Sequence, residues 1–334
     1  MFRYPGTDQT ATWTARPFVR EHFAALPGCP ASAVFAAVAE RLGQGLDSGP
    51  ENKPLEVALL DRYEQLIEAL RLAGRAQVAF DLYGFGLGGF GHLGTVLGDY
   101  ARGYRILRGF VPENGDLGCF GQGLASIGQA LGLNALAMMS KGLGRLQEAW
   151  AARQEDDERT RRVDDPEQTS IGLQNKSEFA LDLGQLPKAR FAAQAALAQA
   201  ERAESNDNRK YSPASAAHAA HQSGDPATAQ TEFAAATALE DAPLLYANRG
   251  QQHARHALAQ PDLATARAEA EDGLRQARLC GYRLKEIELL VTLSAIHLAW
   301  PDPAQALAAA RQALDLATAP DCGYAWGEAD AAQA

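Results

Sequence analysis

Apolar residues recur along the chain at helical spacing, and short breaks interrupt them at regular intervals. Each break is a Leu-Gly, Gly-Asp or Pro-Asp step, and a second helical stretch follows it. The breaks centre on Gly98, Gly144, Gly184, Gly224, Pro261 and Pro301, separated by 46, 40, 40, 37 and 40 residues. This period predicts a repeating unit of two helices joined by a tight turn, with a loop of variable length between units.

A small residue stands five positions after each break. It is glycine in the first unit and alanine in the others, namely Gly103, Ala149, Ala189, Ala229, Ala266 and Ala306. Only a side chain of this size lets two helices cross at a short interaxial distance. We expect Leu107, Phe191 and Phe233 to supply apolar bulk farther along the second helix of their units.

This pattern resembles the tetratricopeptide family, whose unit has a breaker between its two helices and small residues where they cross. The resemblance covers roughly residues 55 to 320 and implies an all-α fold. The expected architecture is a right-handed α-solenoid of stacked antiparallel helix pairs. We expect the solenoid to span residues 51–334, after an N-terminal helical segment over residues 1–50.

A finer resemblance concerns the bacterial STAND proteins, which are NLR-like signalling ATPases. The segment from Arg16 to Phe23 is similar to the end of their winged-helix element. The stretches 93–110, 169–198 and 243–250 are similar to their helical-repeat sensor region. No G-x-x-x-x-G-K-[ST] motif occurs, so we expect either the sensor part of a split or shortened system or an ATPase that lies on another chain. The final residues, GYAWGEADAAQA, begin like a further helix and fit a truncated array.

Composition narrows the possible partners. The net charge of −10 and the pI near 5.2 disfavour phosphate backbones, so we expect no nucleic-acid partner. Neither a membrane-spanning apolar run nor a signal-peptide core is evident, and we expect a cytoplasmic protein. The four cysteines, Cys29, Cys119, Cys280 and Cys322, form no C-x-x-C pair, which disfavours a zinc knuckle or a disulfide framework.

Three polar stretches interrupt the repeats. The charged run from Arg153 to Glu167 has mixed signs and contains an Asp-Pro step, so it predicts a solvated helix end and its loop. The stretches from Leu46 to Lys53 and from Ser205 to Ser212 predict further loops.

The glycine-rich segment from Gly84 to Gly91 matches G-x-G-x-x-G and is the basis of an alternative function, a dinucleotide-binding oxidoreductase. Such a site needs a preceding strand and a helix opening at the third glycine. Upstream, a Leu-Ala-Gly break at Gly74 predicts helix, turn and helix instead. In the repeat register Gly91 takes the small position that faces the second helix, so we favour close packing over nucleotide binding.

Two histidine pairs with a spacing of three could each present imidazoles on one helix face. These are His218 with His221, on the expected concave face, and His253 with His256, which the register turns elsewhere. No cysteine or acidic partner completes a metal-ligand set, and no nucleophile motif is present. We therefore expect no catalytic residue, no metal and no cofactor, and we do not expect an enzyme.

The remaining candidate site is the groove lined by the first helix of each unit, where such solenoids bind extended peptides or partner helices. The register predicts these groove residues: Gln174, Asn175, Glu178, Ser215, His218, Gln251, Gln252 and Arg255. Asn175 occupies the position where many tetratricopeptide domains carry an asparagine that bonds a ligand backbone. The sequence thus predicts a scaffold or sensor that binds a protein or peptide and regulates an ATPase or protease effector in signalling or defence.

Overall fold

The computed structural model describes residues 2–3, 13–14, 31–46, 53–163, 165–203, 205–239 and 244–319. Apart from a two-residue antiparallel ladder between β1 (Phe2–Arg3) and β2 (Trp13–Thr14), its regular structure is helical. The α-helices are α1 Ala31–Gly43, α2 Val57–Leu72, α3 Ala76–Asp81, α4 Tyr100–Arg108, α5 Ser126–Gly142, α6 Leu146–Val163, α7 Pro166–Asp182, α8 Leu186–Ala203, α9 Asn206–Gln222, α10 Pro226–Ala238, α11 Leu244–Ala259, α12 Leu263–Cys280, α13 Arg283–Ala299 and α14 Pro303–Ala317. Two π-helical segments, π1 (Leu82–Gly86) and π2 (Gly91–Val96), and the 3₁₀ turn Leu117–Cys119 complete the list.

The predicted breaks are the turns between paired helices. At the turn between α7 and α8, Gly184 has a φ of 68°, a left-handed conformation that disfavours a residue with a Cβ. Its N–H donates to the carbonyl of Leu181 and the next N–H donates to Ala180, which closes the end of α7. At the following turn Asp225 caps α10 by accepting from the N–H of Thr228. Local sequence therefore accounts for these helix boundaries.

The small positions after the breaks are buried, as predicted. Ala149, Ala189, Ala229 and Ala266 have no exposed surface, and Ala306 is 3% exposed. A Cβ on Gly103 would lie 2.2 Å from the Cε of Met139 in α5, so this crossing is even closer. The earlier Gly74 break follows the same rule, because α3 begins after it and Ala79 is fully buried. These residues set the close approach of the paired helices.

One of the predicted bulky positions is wrong. Leu107 and Phe233 are buried, but Phe191 is 76% exposed. Leu107 and Phe233 follow their small residues by four positions and share a helix face with them, whereas Phe191 follows Ala189 by only two. The residue at the matching position in α8 is Ala193, which is buried.

The helices pack as a consecutive array. The pairs α5/α6, α7/α8, α9/α10, α11/α12 and α13/α14 each form an antiparallel contact across their turn. The first helices of successive pairs also contact each other, α7 with α9, α9 with α11, and α11 with α13. The described chain is therefore an all-helical repeat protein in which every pair packs on the next, an arrangement compatible with a tetratricopeptide-like fold.

Two parts of the described array that are far apart in sequence touch. Helix α13 packs against π2, and Arg283 donates from Nη1 to the carbonyl of Leu97 at 3.3 Å. A single hydrophobic cluster includes Leu93 near one end and Ile287 near the other. This contact joins residues almost two hundred positions apart, which the repeat pattern alone does not predict.

One of the two predicted loops differs from the structure. The stretch from Ser205 to Ser212 contributes most of its length to α9, because Asn208 and Ser212 are buried and Ser212 bonds Ser170 of α7 at 3.0 Å. Tertiary contact here outweighs the polar composition. For the stretch 46–53, Leu46 and Lys53 lie outside helices, and residues 47–52 lie outside the described part.

The prediction that the charged run is solvated is also wrong. Helix α6 continues to Val163, and Arg153, Asp156, Asp157 and Thr160 are buried. The Asp-Pro step does end the run as predicted, because Asp165 caps α7 through the N–H of Glu167 at 2.9 Å.

The segment that resembles a winged-helix end (16–23) and the final residues (323–334) lie outside the described part of the chain. Within the described part, α1 packs on α2 at the start of the array. None of the helices described combines the length and apolarity that crossing a bilayer would require.

Candidate ligand-binding surface

The first helices of three successive units carry polar side chains at equivalent positions. The residues nine positions before the breaks at Gly184, Gly224 and Pro261 are Asn175, Ser215 and Gln252. The residues six positions before the same breaks are Glu178, His218 and Arg255. Because α7, α9 and α11 pack side by side, these positions form two parallel rows. With Gln174 and Gln251 they make up the predicted groove, which we call the polar face.

Three of the eight residues of the polar face are committed to bonds within the protein. Gln174 is buried and donates from Nε2 to Ser212 at 2.9 Å. The amide of Asn175 donates to Asn134 Oδ1 at 2.9 Å, so it is engaged in packing against α5. Glu178 forms an ion pair with Arg249 of α11 and accepts from Gln252 Nε2 at 3.2 Å. The first two contacts join neighbouring first helices, and the contacts of Glu178 reach past α9 to α11.

Four others keep unused hydrogen-bonding capacity, and the eighth, Gln251, is half-buried. Ser215 Oγ, His218 Nδ1 and Gln252 Oε1 are buried and have no hydrogen-bond partner among the described residues. Arg255 is half-buried and donates from Nε to Thr292 of α13 at 3.3 Å. Its terminal guanidinium nitrogens form no hydrogen bond or ion pair within the described part of the chain. Unused groups thus cluster on α9 and α11.

Charges surround this cluster. Lys141 of α5 pairs with Asp182 of α7 at 2.6 Å, and Lys285 pairs with Glu288 within α13 at 2.8 Å. Burial alone would raise the pKa of Glu288, but Lys285, Lys141 and Arg255 outweigh it and hold that pKa below its ordinary value. These three cations, on α5, α11 and α13, therefore all lie within electrostatic range of Glu288.

His218 is neutral in this environment. Burial is the main cause that lowers its pKa to about 3, and the neighbouring His221 and the cations Arg255, Lys285 and Lys141 add to the effect. A neutral imidazole has one donor and one acceptor nitrogen. His218 Nε2 lies 3.4 Å from Gln222 Nε2, which leaves Nδ1 for another partner.

The other histidines form a packing cluster between α9, α10 and α11. His221 and His256, on different helices, face each other edge to face with their Nδ1 atoms 3.4 Å apart. His253 stacks on Phe233 with ring centroids 4.6 Å apart. The sequence register predicts that His256 faces away from His221. The packing of α9 against α11 brings the two rings together. No group of three or more metal-ligating side chains lies close enough to hold a metal among the residues described.

The glycine-rich segment is helical apart from a break at Leu87 and Gly88. The residues before Gly84 form α3 and π1, so the strand that a dinucleotide site requires is not there. The expectation that Gly91 packs against a second helix is wrong, because a Cβ there would meet nothing within 4 Å. Close packing falls instead on Gly86, where a Cβ would lie 2.7 Å from Leu82 and 3.0 Å from Tyr63. The close contact in this segment is therefore at Gly86 and not at Gly91.

No known protein family matches the chain, and no curated protein is similar enough to match it. The class is therefore defined by the structure itself, an all-helical repeat protein with a polar face on its first helices.

Proposed function

We propose that this chain is a recognition module of the tetratricopeptide-like type, whose polar face binds a protein or peptide. The observation that supports this most is the cluster of Ser215, His218, Gln252 and Arg255, whose polar atoms have unused hydrogen-bonding capacity. A buried polar group without a partner costs about 1–3 kcal/mol. A ligand that bonds these groups would offset that cost, which favours binding at this cluster.

The finer proposal is a sensor similar to those of the STAND proteins, acting in signalling or defence. Binding at the polar face would then alter an effector on another chain, an ATPase or a protease. Contacts between first helices two units apart support such coupling, because Glu178, Arg249 and Gln252 link α7 to α11 directly. A ligand that bonds Gln252 would compete with or reinforce this link. We propose a cytoplasmic location and no enzymatic activity.

The test is co-purification from the native host with the whole chain as bait. The variant bait combines Ser215→Ala with Arg255→Gln, and the control bait carries Arg267→Gln, an exposed arginine paired with Glu271 on α12. We expect one set of partners with the wild-type and control baits and its loss with the variant. Asn175 stays unchanged, because its amide packs against Asn134.

Each captured protein is then produced separately and mixed with the three purified baits. Direct binding that requires the polar face supports the proposal. Equal recovery of the same partners by all three baits would contradict it, and would point to the opposite face of the array.

A further inference from the structure

We propose that His221 and His256 form a binding site for a divalent transition-metal ion, namely Zn²⁺, which joins helix α9 to helix α11. The two side chains belong to neighbouring repeat units and come together only in the folded array. The pair supplies two nitrogen ligands and leaves the other two tetrahedral positions to water. The site is independent of the proposed function, because it does not require a peptide on the polar face.

The two nitrogens are spaced for a shared ion. Nδ1 of His221 and Nδ1 of His256 are 3.4 Å apart. Two Zn–N bonds of about 2.0–2.1 Å that meet at a tetrahedral angle place their nitrogens about 3.3–3.4 Å apart. Rings that converge on one ion in this way have centroids about 5.2 Å apart. The ring centroids of the pair are separated by 5.2 Å, so both distances agree with an ion held between the Nδ1 atoms.

A neighbouring amide determines which nitrogen of His256 can bind the ion. Gln230 Oε1, on α10, lies 3.3 Å from His256 Nε2, where it can accept the N–H of the ring. A neutral imidazole carries only one N–H, so Nδ1 of His256 then has a lone pair that faces His221. Histidines that bind metals are usually oriented in this way, by a hydrogen bond from the second ring nitrogen. Gln230 is therefore a positioning residue of the proposed site.

Both imidazoles are available to an ion. Burial lowers the pKa of both rings, so both are neutral at pH 7, which is the form that binds metals. His256 is 1% exposed, but His221 is half-buried and gives the ion contact with solvent. Arg255 also contributes to the lowered pKa of His221, and its charge opposes a bound cation. We therefore expect weaker binding than at a structural zinc site with four protein ligands.

The other two histidines of this region belong to different contacts. His253 stacks on Phe233, and its Nδ1 lies 3.6 Å from Glu269 Oε2. His218 Nε2 lies 3.4 Å from Gln222 Nε2. No third histidine, cysteine or carboxylate completes the pair among the residues that the structure describes. The proposed site therefore consists of two protein ligands that lie on different helices.

The test uses the whole chain without a histidine tag, after metals have been removed with a chelator. Zn²⁺ is titrated at neutral pH in competition with a chromophoric indicator, and thermal melts are recorded with and without Zn²⁺. We expect saturable binding and a higher melting temperature with the ion, because a ligand that binds only the folded state stabilises it. Co²⁺ in place of Zn²⁺ should show the visible absorption of a tetrahedral complex.

Single substitutions identify the ligands. His221→Gln and His256→Gln should each weaken Zn²⁺ binding by about 100-fold or more and abolish the shift in melting temperature, since one imidazole remains. Gln230→Leu should weaken binding by about tenfold, whereas Gln230→Glu, which keeps the acceptor, should retain it. The control is His297→Gln, a half-buried histidine of α13 outside this cluster, which should leave the affinity unchanged. Circular dichroism melts without metal show whether each variant folds, and the half-buried His221 gives the decisive variant if His256→Gln does not.

Three results would overturn the proposal. The first is a wild-type chain that binds no Zn²⁺ in a saturable way, which would leave the two rings as a packing contact. The second is equal affinity of His221→Gln and wild type, which would assign the ion to other residues, such as the cysteines. The third is binding that His218→Gln abolishes and His256→Gln does not, because the ligands would then lie on α9 alone.

Discussion

The buried arginine of α6 gives the sharpest prediction about stability. Arg153 has no exposed surface, and it pairs with Asp156 and Asp157 and donates from Nη1 to Asn134 at 2.7 Å. Replacement by methionine keeps much of the side-chain volume and removes the charge. Asp156, 2% exposed, then loses its cationic partner while remaining in the interior.

The expected cost follows from which partners remain. Breaking a buried ion pair by removing one member costs about 3–5 kcal/mol, since a charge stays buried without compensation. Asp157 keeps an ion pair with Lys176, and Asp156 keeps the hydroxyl of Thr160 at 3.0 Å. We therefore expect about 3 kcal/mol for Arg153→Met. The exposed pair Arg267 and Glu271 is the control, and Arg267→Met should cost only about 0.5 kcal/mol.

Urea unfolding followed by circular dichroism measures both variants, and hydrogen exchange reports on the amides of α6, because repeat arrays open locally. Adding Asp156→Asn to Arg153→Met removes the uncompensated charge and should recover at least half of the loss. A cost below about 1 kcal/mol for Arg153→Met would mean that the run behaves as a solvated surface, as the sequence suggested.

Three further predictions concern packing and pH. Ala189→Arg forces a charged side chain into a helix crossing and should lower the free energy of unfolding in urea by several kcal/mol, as a severe core substitution does. Ala198→Arg, on the exposed side of the same helix, should be nearly neutral. Equal costs would show that the register is wrong. Gly86→Ala should lower the melting temperature and cost about 1–3 kcal/mol of unfolding free energy, whereas Gly91→Ala, at an open position, should be neutral or stabilising. Neither these variants nor the wild type should bind NAD in a saturable way. Saturable NAD binding that Gly86→Ala abolishes would restore the dinucleotide alternative. His218 has a pKa of about 3 when folded and about 6.5 when unfolded, so its contribution to stability is complete above pH 6.5 and is lost as the pH falls below it. Between pH 7 and pH 5 the wild type should lose about 2 kcal/mol more than His218→Gln, and an identical loss in the two proteins would contradict the assignment of a neutral buried imidazole.

The repeat pattern could be predicted from the sequence because it depends on residues that are close together in the chain. A glycine that must adopt a left-handed turn, an aspartate that caps the next helix and an alanine five residues later all act within one unit. This is why Gly184, Asp225 and Ala189 lie where the pattern placed them. The all-helical class and the order of packing follow from the same local rules.

The candidate site was readable only in part. The register places Ser215, His218, Gln252 and Arg255 at equivalent positions of two successive first helices, α9 and α11. It could not tell them apart from Asn175, whose amide is taken up by Asn134, because that bond depends on how α5 packs against α7. Which polar groups remain free is a property of the whole array.

Some residues that composition predicts to be exposed are buried in the structure. Arg153 and Asp156 look like a solvated charge run in sequence, and Ser212 lies in a polar stretch typical of a loop, yet all three are buried between helices. Only the assembled array shows that π2 meets α13 through Leu97 and Arg283. Local sequence therefore determined the helices, their turns and their pairing, because each depends on residues a few positions apart. Tertiary structure alone decided the buried charges, the contact between π2 and α13, and which nitrogens of Arg255 have no partner among the described residues. Each depends on helices that are distant in sequence and pack together.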